Sequence, residues 1–220
     1  EQALARCWEQ YCRDGPTALQ ALSKAVEAPR QELFRRLNLA PGGTAALVRM
    51  RADLLSIKSK NKAFERVDDD FRHLLRSWFN RGFLSMQSID WSSSARLLER
   101  LIRYESVHDI NNWAELRLRL DPPDRRCFAF FHPAMPDEPL IFVEVGLTTG
   151  IPTSIQTMLT ANREPIDADR ATTATFYSIN NCQPGLTGIS FGHFLIKQVA
   201  ADLKRDLPNL THFVTLSPVP

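Results

Sequence analysis

The stretch from Thr172 to Leu216 constrains the fold more than any other part of the chain. Thr172–Ile179 has the β-branched and aromatic content of a strand. Phe191, Leu195, Val199 and Leu203 then recur every fourth residue, so 191–207 reads as a helix, stopped by Pro208. His212–Leu216 reads as a further strand. The loop Asn180–Ser190 joins the first strand to the helix and carries Gly185 and Gly188. Strand, loop, helix and strand in this order call for a sheet with a helix on it, α+β or α/β.

A glycine-containing turn between strand and helix lets the backbone come close to a phosphate. The helix start adds free N–H groups and the positive end of the dipole. The turn resembles the one by which N-acetyltransferase-type folds hold the coenzyme A diphosphate, with Gly188-Ile189-Ser190 in place of their Gly-x-Gly/Ala. It departs from that pattern where the usual leading Arg or Gln would fall on Gly185. The same two glycines also suit an ordinary β–α turn.

Residues 1–84 read as a helical domain, rich in Leu, Ala and Arg. Leu33, Phe34, Leu37 and Asn38 share one side of a helix over 31–39. Leu47, Val48, Met50, Leu54 and Leu55 mark another over 45–57, and Phe71, Leu74, Leu75 and Trp78 a third over 68–79. Pro41-Gly42-Gly43 is a loop, 58–62 an exposed polar connection, and Gly82 a helix stop. From Ser85 onward the texture is mixed. Ser92–Ser94 caps a helix with Leu97, Leu98, Leu101 and Ile102 in its stripe. Strands are expected over 127–131 and 140–147, joined by the proline-rich hairpin loop 133–139. A short helix over 151–159 would hold Pro152 in its first turn.

Several stretches resemble the malonyl-CoA decarboxylase family. They are Arg51–Leu55, Ser77–Leu84, Ser106–Trp113, Glu138–Thr148, Thr175–Ile179, Gly185–Gly188, Phe194–Lys197 and Leu216-Ser-Pro-Val-Pro220, in the family's order. The resemblance implies an α+β chain: a helical domain over 1–84 used in homo-oligomerisation as dimer or tetramer, then an N-acetyltransferase-like mixed sheet over 85–220, incomplete at its C-terminal end. It implies conversion of malonyl-CoA to acetyl-CoA and carbon dioxide, with no metal or organic cofactor. The family's catalytic serine falls on Ser217. Its acyl-CoA-binding stretch falls on Thr187, Gly188, Ile189, Ser190, Phe191, Gly192 and His193, with Ser190 where the family commonly has Glu.

Loss of carbon dioxide from a malonyl thioester leaves an enolate. Donors set at the developing oxyanion lower the barrier, and a general acid then protonates the α-carbon. Ser217, held by Pro218, suits hydrogen bonding to the departing carboxylate or the enolate without covalent attack. A Ser-Pro pair alone also starts an ordinary turn. The family's general acid is a histidine well downstream of its Ser-Pro-x-Pro, so the chain is expected to be the N-terminal portion of a longer protein. His193 at the helix start suits a ligand or solvent contact. His132 precedes a proline-rich turn, and His73, His108 and His212 are expected to be structural or superficial.

Other groups have plainer readings. Asp68-Asp69-Asp70 is expected to be a solvated helix opening. Arg125-Arg126 could meet coenzyme A phosphates or lie as a surface pair, and Trp78, Trp91 and Trp113 belong in a core. Lys and Arg number 27 against 25 Asp and Glu, which leaves no basic footprint for nucleic acid. The best apolar run, Leu140–Leu147, is far shorter than the ~18 residues of a membrane span. Cys7, Cys12, Cys127 and Cys182 form no Cys-x-x-Cys pair, which argues against a zinc ribbon or disulfide scaffold and for an intracellular setting, cytoplasmic or organellar. No targeting segment is visible, though the chain begins at Glu1, which leaves a removed segment open. A non-catalytic coenzyme A-binding or oligomerisation module on the same fold stands as the alternative function. An N-acetyltransferase would need an amine pocket that the sequence does not display.

Overall fold

The computed structural model describes residues 2–57, 61–160, 162–190 and 194–216. Ser217, Phe191, Gly192 and His193 therefore lie outside the described residues. The chain divides into two compact units, Glu1–Ser77 and Trp78–Pro220.

The first unit is helical: α1 Gln2–Asp14, α2 Leu19–Val26, α3 Pro29–Asn38, α4 Gly43–Ile57 and most of α5 Lys62–Trp78. Pro29 opens α3, where the missing N–H costs nothing. Asn61 caps α5 by accepting from the Ala63 N–H at 2.8 Å. Leu47, Val48 and Leu54 of α4 are buried with Phe71, Leu74 and Leu75 of α5. Phe34 of α3 stacks on Phe71 with ring centroids 4.2 Å apart, worth about 1 kcal/mol beyond burial. Leu33, Leu37 and Met50 are exposed, contrary to their place in the expected stripes, because Phe34 alone of its stripe reaches the core.

Two readings of residues 1–84 need correction. Asp68 and Asp70 are mid-helix and buried, not a solvated opening. The carboxylate of Asp68 accepts from Arg51 Nε at 2.8 Å, and that of Asp70 accepts from Arg30 Nε at 2.9 Å and Gln31 Nε2 at 2.8 Å. Partners from α3 and α4 thus offset the cost of burying two charges. Gly82 stops no helix: α5 ends at Trp78, and Gly82 sits inside a single 3-10 turn capped by Asn80.

The second unit is an α+β layer structure with a mixed five-stranded sheet, as expected. Its strands are β1 Ser85–Ile89, β2 Arg125–Phe131, β3 Ile141–Thr148, β4 Thr173–Asn181 and β5 His212–Thr215, lying in chain order across the sheet. β1 to β4 are antiparallel, and β5 joins β4 in parallel. That parallel pair needs a crossover, which α9 Phe194–Asp206 supplies. Leu195, Val199 and Leu203 of α9 press onto Phe128, Phe130, Val143, Val145 and Phe176 on one face. α6 Ala95–Tyr104 and α7 Trp113–Leu120 cover the other with Leu98, Leu101, Leu116 and Leu120. Covered on both faces, β2 and β3 are near-continuously apolar.

Ser94 caps α6, its Oγ accepting from the Leu97 N–H at 3.3 Å. α8 is only Ile155–Leu159, with Ser154 as its cap, so Pro152 stands outside it. The expected tryptophan core is met only in part, since Trp91 packs against the cluster under α6 and α7. Trp113 is 42% exposed and meets half-buried Trp91 edge to face at 6.2 Å, with Arg117 over the Trp91 ring. Trp78 is half-buried. A register shift between Glu144 and Val145 leaves Tyr177 as an extra residue of β4. This bulge turns Ser178 and Asn180 toward a buried polar cluster.

Candidate functional site

The turn that follows β4 is built in steps. Pro184–Leu186 form a single 3-10 turn, closed by the Leu186 N–H to the Gln183 carbonyl at 2.9 Å. Thr187 donates from both backbone N–H and hydroxyl to the Pro184 carbonyl, at 3.1 and 2.7 Å. Gly188 then takes φ +75°, the left-handed region that L residues avoid. The Ile189 N–H returns to the Leu186 carbonyl at 2.9 Å. Leu186 and Ile189 are buried and anchor the turn, while Thr187, Gly188 and Ser190 face solvent. Gln183 Nε2 donates to the Pro139 carbonyl at 2.9 Å, tying the turn to the β2–β3 hairpin.

Four of the seven expected binding residues, Thr187 to Ser190, thus form one exposed turn ahead of α9. Phe191, Gly192, His193 and Ser217 lie outside the described residues, so their positions add nothing to this geometry. The glycine at 188 answers to conformation rather than crowding, since a Cβ there would meet no atom within 4 Å. Sequence reasoning missed Arg81. Its guanidinium carbon lies 5.0 Å from the ring centroid of Phe194, the first residue of α9. Only the fold brings these two residues together, across more than a hundred positions. The cation adds to the positive end of α9 and suits an anionic ligand.

The histidines divide as their surroundings dictate. His132 accepts from the Ala134 N–H at Nδ1 and meets the Trp78 carbonyl through Nε2 at 3.1 Å. Burial holds its pKa below the ordinary histidine value. Both nitrogens are engaged, so His132 is a structural residue. His108 meets the Tyr177 carbonyl at 3.2 Å, and His73 and His212 are exposed.

A second polar group lies beneath the sheet, on the face covered by α6 and α7. Glu105, at the end of α6, accepts from Ser178 Oγ, Asn180 Nδ2 and the N–H groups of Val107 and His108. These bonds pin the segment 106–113 to β4. Next to it, Glu144 is wholly buried and accepts from Arg119 Nη1 at 3.0 Å. Burial pushes the Glu144 carboxyl up to about 7, against the opposing pull of Arg119. Burial works against the Arg119 charge too, yet Glu144 holds its pKa above the ordinary arginine value. The sequence flagged none of Glu105, Arg119 or Glu144 as a cluster, because they come from three separate elements.

Residues 82–220 match the model of the malonyl-CoA decarboxylase C-terminal domain, and residues 1–79 that of the N-terminal domain. The chain belongs to the malonyl-CoA decarboxylase family. Among the family's solved structures, malonyl-CoA decarboxylase from Rhodopseudomonas palustris superposes with a TM-score of 0.93 at 57% identity, over all of this chain and 54% of that one. That from Agrobacterium vitis gives 0.94 at 59% identity, over all of this chain and 53% of its own. The mitochondrial malonyl-CoA decarboxylase of Anser anser anser is 39% identical over 194 residues, and that of Rattus norvegicus 33% over 220. The chain spans 38% and 44% of those two curated relatives.

Proposed function

We propose that the protein takes part in the decarboxylation of malonyl-CoA to acetyl-CoA and carbon dioxide. The observation that carries this reading is a family match along the whole chain joined to an exposed Gly188 turn at the start of α9. The turn and the adjacent helix end offer N–H donors to the coenzyme A diphosphate, with Arg81 nearby. Thr187, Gly188, Ile189 and Ser190 form the described part of this binding segment, which continues through Phe191, Gly192 and His193. Ser217 of the Ser-Pro-x-Pro motif acts as a hydrogen-bond donor to the departing carboxylate or the enolate. The reaction as proposed takes no metal or organic cofactor, since the thioester itself stabilises the carbanion.

The same reading makes the helical unit a homo-oligomerisation element. Trp8, Val26 and Leu39 are 55%, 63% and 85% exposed there, which leaves apolar surface for a second copy. An intracellular setting, cytoplasmic or organellar, belongs to this reading as well. It is consistent with four cysteines that are free of disulfides. Among the described residues no helix is long and apolar enough to cross a membrane.

Incubation of the full-length protein with malonyl-CoA tests the proposal, while residues 1–220 alone are expected to show no turnover, because the family's general-acid histidine lies downstream of Ser217. Acetyl-CoA and carbon dioxide are expected in equal amounts, with no free coenzyme A. Release of free coenzyme A instead would mark a thioesterase. Binding of coenzyme A without turnover would favour the non-catalytic module.

A further inference from the structure

A cavity of about 300 Å³ lies at the other end of the sheet from the Gly188 turn. Its wall holds Arg119 of α7, Arg125 of β2 and Arg163, with Leu118, Met158 and Leu159 as apolar surface. Arg125 stands level with Thr175 across Gly146, whereas the Gly188 turn follows Asn181. At ~3.3 Å per residue the two sites are roughly 20 Å apart along β4.

Of the three arginines, Arg119 and Arg163 each have a carboxylate partner and Arg125 has none among the described residues. Glu144 is engaged by Arg119, and Asp124 is held by Arg163 through both guanidinium nitrogens. Glu115, the carboxylate in the wall itself, accepts from Asn111 and Asn112 at the start of α7 and lies within the field of Arg119. Arg125 is 3% exposed, and among the described residues it pairs with no carboxylate. Its Nη2 donates to the Met158 carbonyl and its Nη1 to the Asp124 carbonyl at 3.4 Å, while its Nε–H is buried with no partner. A buried cation without a carboxylate partner, in the wall of a cavity, is costly unless an anion comes near it. Burial, with the neighbouring Arg163 charge, pulls the Arg125 guanidinium below its ordinary pKa against the opposing pull of Tyr177, Asp124 and Glu144. The volume falls at the small end of ligand pockets.

We propose that this cavity is a binding site for a small organic anion, whose carboxylate or phosphate group meets Arg125 while a short apolar body lies along Leu118, Met158 and Leu159. The site is separate from the proposed coenzyme A turn, and its occupancy is read without any turnover assay.

Calorimetric titration of the protein with benzoate and with phenyl phosphate tests the proposal, with benzyl alcohol as the uncharged control and chloride at matched ionic strength. Saturable binding of at least one anion, and none of the alcohol, is expected. Which anion binds more tightly distinguishes a carboxylate ligand from a phosphate ester. Arg125→Gln should weaken binding about tenfold or more, the loss of one charge-assisted contact. Leu118 is 42% exposed at the rim, so Leu118→Glu leaves the fold intact and places a negative charge at the mouth. It should weaken binding at least as much, and Leu118→Gln, which loses apolar contact but adds no charge, should weaken it clearly less. No saturable binding by either anion, equal binding of the alcohol, or wild-type affinity in Leu118→Glu would each overturn the proposal.

Discussion

Ser217 and Glu144 represent two kinds of residue-scale question. Ser217 carries a proposed catalytic role read from a short motif. If its hydroxyl stabilises charge only in the transition state, Ser217→Ala in the full-length protein should lower kcat by ~10²–10³-fold and leave KM nearly unchanged. Steady-state kinetics check this, and wild-type kcat would reduce Ser217 to a turn residue. Glu144 carries no motif, and its chemistry comes from burial. Its folded carboxyl titrates near 7, above the ordinary value of 4.5. Between those values the folded state keeps a proton that the unfolded state has lost, so this residue's contribution to stability is present below pH 4.5 and falls away as pH rises to about 7. Glu144→Gln should flatten the dependence of the urea midpoint on pH over that window. An unchanged slope would assign it to other groups.

At the scale of elements, the turn before α9 and the α4–α5 pair are the ones most open to test. Gly188→Val forces a β-branched residue to φ +75°, a cost of roughly 1–2 kcal/mol, with no packing clash to add. The turn should relax to another conformation, and coenzyme A affinity should fall about tenfold while the melting temperature drops only a few degrees. Unchanged affinity would leave the glycine as a plain connection. Between α4 and α5 the Arg51–Asp68 pair is buried at both ends. Arg51→Ala leaves the Asp68 carboxylate in the core without this partner and should cost ~3–5 kcal/mol. The double change Arg51→Met with Asp68→Leu should restore most of that loss in denaturant titrations. A double variant no more stable than the single would show that packing, not charge, sets the cost.

For the whole molecule, the testable property is self-association through the helical unit. None of the residues of α1 is buried, although the helix carries Leu4 and Trp8. In the proposed oligomer a second copy would cover this surface and Leu39, which are otherwise left in water. Trp8→Glu together with Leu39→Glu should shift sedimentation toward the monomer, with the helical circular dichroism signal retained. A wild-type protein that sediments as a monomer at every concentration would overturn the oligomer reading.

The sequence by itself determined the elements whose pattern is strictly local. The stripe of Leu195, Val199 and Leu203, the apolar run of β3 and the Ser94 cap each follow from neighbours within a few residues, and each stands where the periodicity puts it. The Gly188 turn was legible for the same reason, since its backbone demand is written in one residue. β1 and α7 escaped notice because their signals are weak. β1 is a polar edge strand recognised only through its pairing with β2, and α7 alternates Leu and Arg as a strand would. Asp68 and Asp70 read as a solvated cap because nothing local announces Arg51 and Arg30 as their partners. Tertiary structure alone decided the approach of Arg81 to Phe194, the Glu105 cluster, the elevation of Glu144 and the arginine-lined cavity. Each depends on burial and on charges from distant elements. Local sequence sets periodicity and turn conformation, whereas desolvation and Coulomb interaction depend on which segments the fold brings within a few ångströms of one another.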